Sequence, residues 1–233
     1  MPDSKKTYPK IPARDLMIVA ADEFGALDDH PIDALSSRTY ARLEKLVSWF
    51  VLRAPLTQIT RLANPSCIDM FKSDESPRRG SRTFNRSEFE DMFLKPMEID
   101  CSKFEFAYTR NVVKPLLEVN GLTLNNSTVF LDGNGNARER AVCFVGKGED
   151  GKSEDSCIES ICRHVRNAFA HGRVAISESN EEPVVFLEDG ATPRGVDYEE
   201  SDKPSGQLIE VRFRMVVKLS TLETWYKTLV PNA

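Results

Sequence analysis

The chain has few of the residues on which most hydrolytic and metal chemistry depends. Only three histidines occur in 233 residues, and the five cysteines include no Cys-x-x-Cys pair. A His-based or thiolate zinc site is therefore not expected, and no metal or cofactor is called for. The odd number of cysteines argues against a disulfide framework, and reduced thiols suit the cytoplasm. No apolar run approaches the length of a membrane span, and Met1 to Lys10 lacks the apolar centre of a signal peptide. Positive charge is not in excess either: 31 Lys and Arg against 36 Asp and Glu leave a net −5. Proteins that coat nucleic acid are usually basic, so any contact with RNA is expected to be local. No nucleophile elbow of a serine hydrolase is visible.

What is present is enough apolar residue, 40% of the chain, for one sizeable core. A single domain over residues 1–233 is expected, with a polar tail at about 1–12. A mobile loop, acidic and rich in Gly, Pro and Ser, is expected at about 189–206.

Two of the three histidines stand in one stretch, Ser156 to Arg173. Its ends read as helix ends. Ser156 and Glu159 form a capping box, Asp155 complements the positive end of the dipole, and Gly172 suits a left-handed closing residue. At about 100° per residue, Cys157, Ile158, Ile161, Cys162, Val165, Ala168 and Phe169 share one face, which should enter a core. Arg163, Arg166, Asn167 and His171 fall on the other face, with His164 at the border. Ala170 lies among them and keeps that surface low. Arg166 and His171 are offset by about 140° around the axis and ~7.5 Å along it. A flexible Arg side chain, or the same helix of a second subunit, would bring the two groups onto one phosphate. The residues also admit a structural reading, in which Arg and His at a helix C-terminus cap carbonyls and complement the dipole.

Arg166-Asn167-Ala168-Phe169-Ala170-His171 resembles the Arg-Asn-x-x-x-His signature of the HEPN superfamily. With Gly172-Arg173-Val174 it is similar to the subset in which the motif precedes a β-hairpin. The resemblance covers about residues 154–190. Together with the mixture of helices and hairpins along the chain, it fits an α+β fold, a mainly helical HEPN-like bundle with added β-hairpins and a C-terminal strand and helix. It implies a homodimeric, metal-independent endoribonuclease of toxin–antitoxin or phage-defence systems, with RNA as substrate and an antitoxin protein as a further partner. Arg166, Asn167 and His171 would then be catalytic, and Arg163 and Arg173 would hold the RNA backbone. A non-catalytic RNA-binding or assembly module on the same helix face is the alternative.

The remaining segments read in order. Leu16 to Ala21 is a short buried helix or strand. Ser36 or Ser37 caps a helix running to about Arg53, with Leu43, Leu46, Val47, Phe50 and Val51 as its stripe. The basic patch Pro77 to Arg82, with Arg86, sits in a loop. Asn85 begins a second helix, and Phe104 to about Val119 gives a third, bent or ended by Pro115. Thr128–Leu131 and Ala141–Val145 are strands joined by the turn Asp132 to Asn136. Val174–Ile176 and Val184–Leu187 form another hairpin, followed by a strand Leu208–Val217 and a helix Thr221–Leu229.

Gly146 to Ser153 matches Gly-x4-Gly-Lys-Ser, and Val184 to Asp189 could stand in for the acidic strand that accompanies it. Glu149 and Asp150 would place negative charge in a loop meant for phosphates, and the neighbouring hairpins do not supply several parallel strands. Nucleotide binding by this loop is a third reading.

Overall fold

A computed structural model describes residues 10–21, 23–24, 35–53, 104–123, 138–146, 157–178, 182–199 and 206–229. In chain order its elements are β1 (Ile11–Pro12), a 3-10 turn, β2 (Ile18–Ala20), α1 (Ser37–Val47) and a π-helical turn (Ser48–Arg53). Next come β3 (Phe104–Ala107), α2 (Arg110–Val119), β4 (Arg140–Phe144) and α3 (Cys157–Ala170). β5 (Val174–Ser177), β6 (Val184–Ala191), β7 (Val196–Asp197), β8 (Leu208–Lys218) and α4 (Leu219–Leu229) complete it.

The centre is a six-stranded mixed sheet in the order β3-β4-β8-β6-β5, with β2 also on β8. Only β3 and β4 run parallel in it. β6 follows one edge of β8 from Glu210 to Lys218, so β2 and β4 lie end to end along the other. Strand alternation divides the apolar residues between two layers. Ala141, Cys143, Val185, Leu187, Phe213, Met215 and Val217 meet α1, the π turn, α3 and α4. Val142, Val184, Phe186 and Val216 meet Val113 and Leu117 of α2, with Val19 and Phe24.

This corrects the expectation of a mainly helical bundle with β additions. The apolar runs Val184–Leu187 and Ala141–Cys143 are buried on both faces, which is the pattern of strands inside a covered sheet. β8 gathers the separate hairpins into that sheet through pairs remote in sequence, such as Cys143 with Phe213.

Smaller differences follow from the same cause. Phe104 to Ala107 is a strand beside β4, so the helix expected over 104–119 begins only at Arg110. Pro115 lies within that helix rather than ending it. Asp189 to Ala191 extend β6, and Val196–Asp197 pair with Ile11–Pro12, within segments read as mobile loop and tail. Ser36 caps α1, its Oγ accepting from the Thr39 N–H at 3.3 Å. The basic patch at 77–86, the helix from Asn85, the strand at 128–131, the turn at 132–136, the capping residue Ser156 and loop residues 147–153 lie outside the described residues. Among the described residues, no helix is long and apolar enough to cross a membrane.

Candidate functional site

α3 takes its orientation from its apolar face. Ile161, Cys162, Val165, Ala168 and Phe169 are all buried against the sheet and the π turn. Phe169 stacks on Phe50 at 5.6 Å between centroids. The helix closes in a Schellman arrangement: Gly172 has φ +65°, its N–H bonds to Phe169 O at 3.2 Å, and the Arg173 N–H bonds to Ala168 O at 2.9 Å. His171 is thereby the capping residue just past Ala170, its N–H still bonded to Asn167 O at 2.9 Å. Ala170, His171 and Gly172 are all exposed.

One turn earlier the helix is tied to the sheet by polar contacts. Arg166 Nη1 donates to Asn167 Oδ1 at 3.0 Å, and Asn167 Nδ2 donates to Asp189 Oδ2 at 3.1 Å. The same carboxylate oxygen lies 2.7 Å from His164 Nδ1, and His164 Nε2 lies 3.0 Å from the Phe144 carbonyl. Both ring nitrogens thus face acceptor oxygens, one of a carboxylate and one of the main chain. The ring stacks face to face on Phe213 at 5.3 Å. His164 and Asp189 are buried, whereas Arg166 and Asn167 are half-buried and keep one side toward solvent. A buried acid and a stacked imidazole thus anchor a chain of contacts that ends at a guanidinium near the surface.

The expected site residues divide. Arg166 and Asn167 are in direct contact, and His171 lies one turn beyond on open surface. Arg163 shares that helix and reaches Ser160 Oγ at 3.4 Å. Arg173 is elsewhere. It is buried and ion-paired with Glu188, donates to Ala21 O at 3.1 Å, and stacks over Phe24 at 5.1 Å. Its expected role on the RNA backbone is withdrawn, because its guanidinium is engaged inside the molecule. Glu188 also accepts from Arg214 Nε at 2.7 Å, and Arg214 donates to Leu122 O at 2.7 Å. Burial pulls the Arg214 guanidinium below its ordinary value, and Glu188 offsets part of that.

Sequence reasoning missed Asp189 and left His164 at a border. Two signals were available: a pair of acids, Glu188 and Asp189, ending an apolar strand, and Arg212 and Arg214 alternating with Val211, Phe213 and Met215. Charges inside a run of core residues need partners.

For the Gly146 loop, the preceding strand β4 is parallel only to β3 and antiparallel to β8. A phosphate loop of the Gly-x4-Gly-Lys-Ser type sits in a parallel sheet, so this context does not favour it. Among the described residues, no cluster of His, Cys, Asp and Glu is arranged to hold a metal ion. Comparison with protein families, curated proteins and solved structures finds no match to this chain.

Proposed function

We propose that this protein is a metal-independent endoribonuclease acting through the polar end of α3. One observation carries the reading: Arg166 and Asn167 are joined to each other and pinned to the sheet beside an exposed His171. A held guanidinium and an accessible imidazole are what attack by an RNA 2′-hydroxyl on its own 3′ phosphate needs. The 2′ oxygen loses its proton to a base and forms a bond to phosphorus. The bond from phosphorus to the 5′ oxygen breaks, and that oxygen takes up a proton. The products carry a 2′,3′-cyclic phosphate and a 5′-hydroxyl. His171 serves as one of the two proton-transfer groups, and Arg166 stabilises the charge that builds on the phosphate oxygens. Asn167, with its oxygen on Arg166 and its amide on Asp189, acts by positioning Arg166.

The separation of Arg166 from His171 along the helix favours a homodimer in which two copies of α3 face one cleft. The likeness of the motif to HEPN ribonucleases suggests a toxin or phage-defence role held in check by an antitoxin protein. Cleavage of RNA in excess EDTA, lost in Arg166→Ala and in His171→Ala, tests the nuclease.

A second reading is a non-catalytic RNA-binding or assembly module on the same face. It draws support from His171, whose ring has no hydrogen-bond partner among the described residues to orient it. RNA binding without turnover by the intact protein would favour it.

A further inference from the structure

Beside Asp189 the sheet slips by one residue. Asp189 pairs with Phe213 and Gly190 with Val211, so Arg212 is an extra residue in the ladder. Bulges of this kind re-aim a side chain. Gly190 is part of the device: a Cβ there would collide with the Ile209 side chain and the Glu210 carbonyl. The slip is therefore built into the close approach of β6 and β8.

The Arg212 guanidinium is under-used. Among the described residues it donates no hydrogen bond, and its Nε is buried without a hydrogen-bond partner. Its nearest carboxylate, Glu210, is 3.8 Å away and already receives two hydrogen bonds from Arg110. The Phe144 ring lies under it at 5.5 Å. Arg163 and Arg110 add like charge within electrostatic reach, against Glu210 and Asp189. Burial and those cations depress its ionisation, and the two carboxylates only partly restore it. The side chain keeps 29% of its surface exposed, so a ligand can reach it. Its Nε is enclosed, so an anion with several acceptor oxygens would bond the Nη groups at the exposed end of the guanidinium.

We propose that Arg212, beside Arg163, is a phosphate-binding residue that holds a backbone phosphodiester of the nucleic-acid strand next to the one positioned at Arg166 and His171. The RNA part of this statement rests on the nuclease reading; the phosphate site does not. Asp189, which accepts from Asn167 of α3, and Arg163 of the same helix both lie within electrostatic reach of Arg212 and so relate the two places.

The test uses the full chain and a fluorescein-labelled all-deoxy oligonucleotide, which lacks the attacking hydroxyl and stays intact. Anisotropy is read across a salt series, beside steady-state cleavage of the matching RNA. Arg212→Gln should weaken binding about tenfold and make the log–log salt slope shallower by about 1. Arg212→Lys should keep the slope and recover part of the affinity. Arg38→Gln, on exposed α1 surface, should bind like wild type. Inorganic phosphate should compete with the oligonucleotide for wild type and much less for Arg212→Gln. Wild-type affinity and slope in a folded Arg212→Gln protein would overturn the proposal, as would a wild-type chain that does not bind the strand. Arg212-dependent binding without RNA cleavage would keep the site and remove the nuclease reading. Cleavage with KM unchanged in Arg212→Gln would do the reverse.

Discussion

Asn167 Nδ2 donates to Asp189 Oδ2 across 3.1 Å, joining the last full turn of α3 to a strand residue 22 positions further along the chain. With its oxygen on Arg166 at 3.0 Å, the Asn167 amide is fixed at both ends. That linkage makes Asn167 the hinge between the core and the guanidinium presented at the surface.

Removing the linkage should therefore act on catalysis through Arg166. Asn167→Ala is expected to lower kcat for RNA cleavage by about a hundredfold, the scale of a small misplacement of a reacting group, with KM changed much less. Asn167→Asp would set two carboxylates against each other and should also lower the melting temperature. Steady-state kinetics and thermal unfolding read the two effects. A full wild-type kcat in Asn167→Ala would mean that Arg166 does not depend on this contact.

Asp189 should matter to stability in its own right. Asp189→Ala leaves the buried His164 ring and the Asn167 amide without their hydrogen-bond partner and should cost roughly 2–3 kcal/mol in urea unfolding. Asp189→Asn keeps the shape and one acceptor, so its loss should be smaller. Equal losses in the two variants would show that packing, not the hydrogen bonds, sets the effect.

Glu188 and Arg173 supply a contrast with Arg212. Glu188→Ala strands Arg173 and Arg214 inside the sheet layer and should destabilise by about 3–5 kcal/mol, the range for a broken buried ion pair. Arg173→Ala should lower stability while leaving the salt slope of oligonucleotide binding unchanged. A shallower slope in that variant would return Arg173 to the binding surface.

These assignments divide along physical lines. α3 was legible because its apolar residues recur at helical spacing and Gly172 closes it, both local properties. The Arg166–Asn167 placement followed from the same period. The partner of Asn167 was not legible. Asp189 opens a stretch rich in Gly, Pro, Ser and acids, and its pairing with Phe213 is set by a register that no local pattern encodes. Arg173 was misplaced for a like reason: it follows the motif, yet Glu188 across the hairpin takes its charge inward. The bundle expectation failed because each hairpin looked complete alone, while β8 joins β4 and β6 through contacts distant in sequence.

A pH-dependent term should come from Glu182, which ties together α1 and the start of α4 through Arg42 and Ser220. Burial alone would raise the Glu182 carboxyl, but hydrogen bonds from Arg42 and the Ser220 N–H outweigh it and hold it below its ordinary value of 4.5. The folded state then binds this proton less tightly than the unfolded chain. Its stabilisation is present above the ordinary value and fades as pH falls through the lower folded one. Glu182→Gln should lower the urea midpoint at neutral pH, and the gap to wild type should close below about pH 4. A gap that persists in acid would assign the effect to packing.

The most direct measurement is incubation of the purified protein with total RNA in excess EDTA, beside Arg166→Ala and His171→Ala, with analysis of the new ends. The account predicts cleavage by the wild type alone, leaving 2′,3′-cyclic phosphate and 5′-hydroxyl termini. Cleavage that persists in folded His171→Ala, or intact RNA with the wild type, would contradict it.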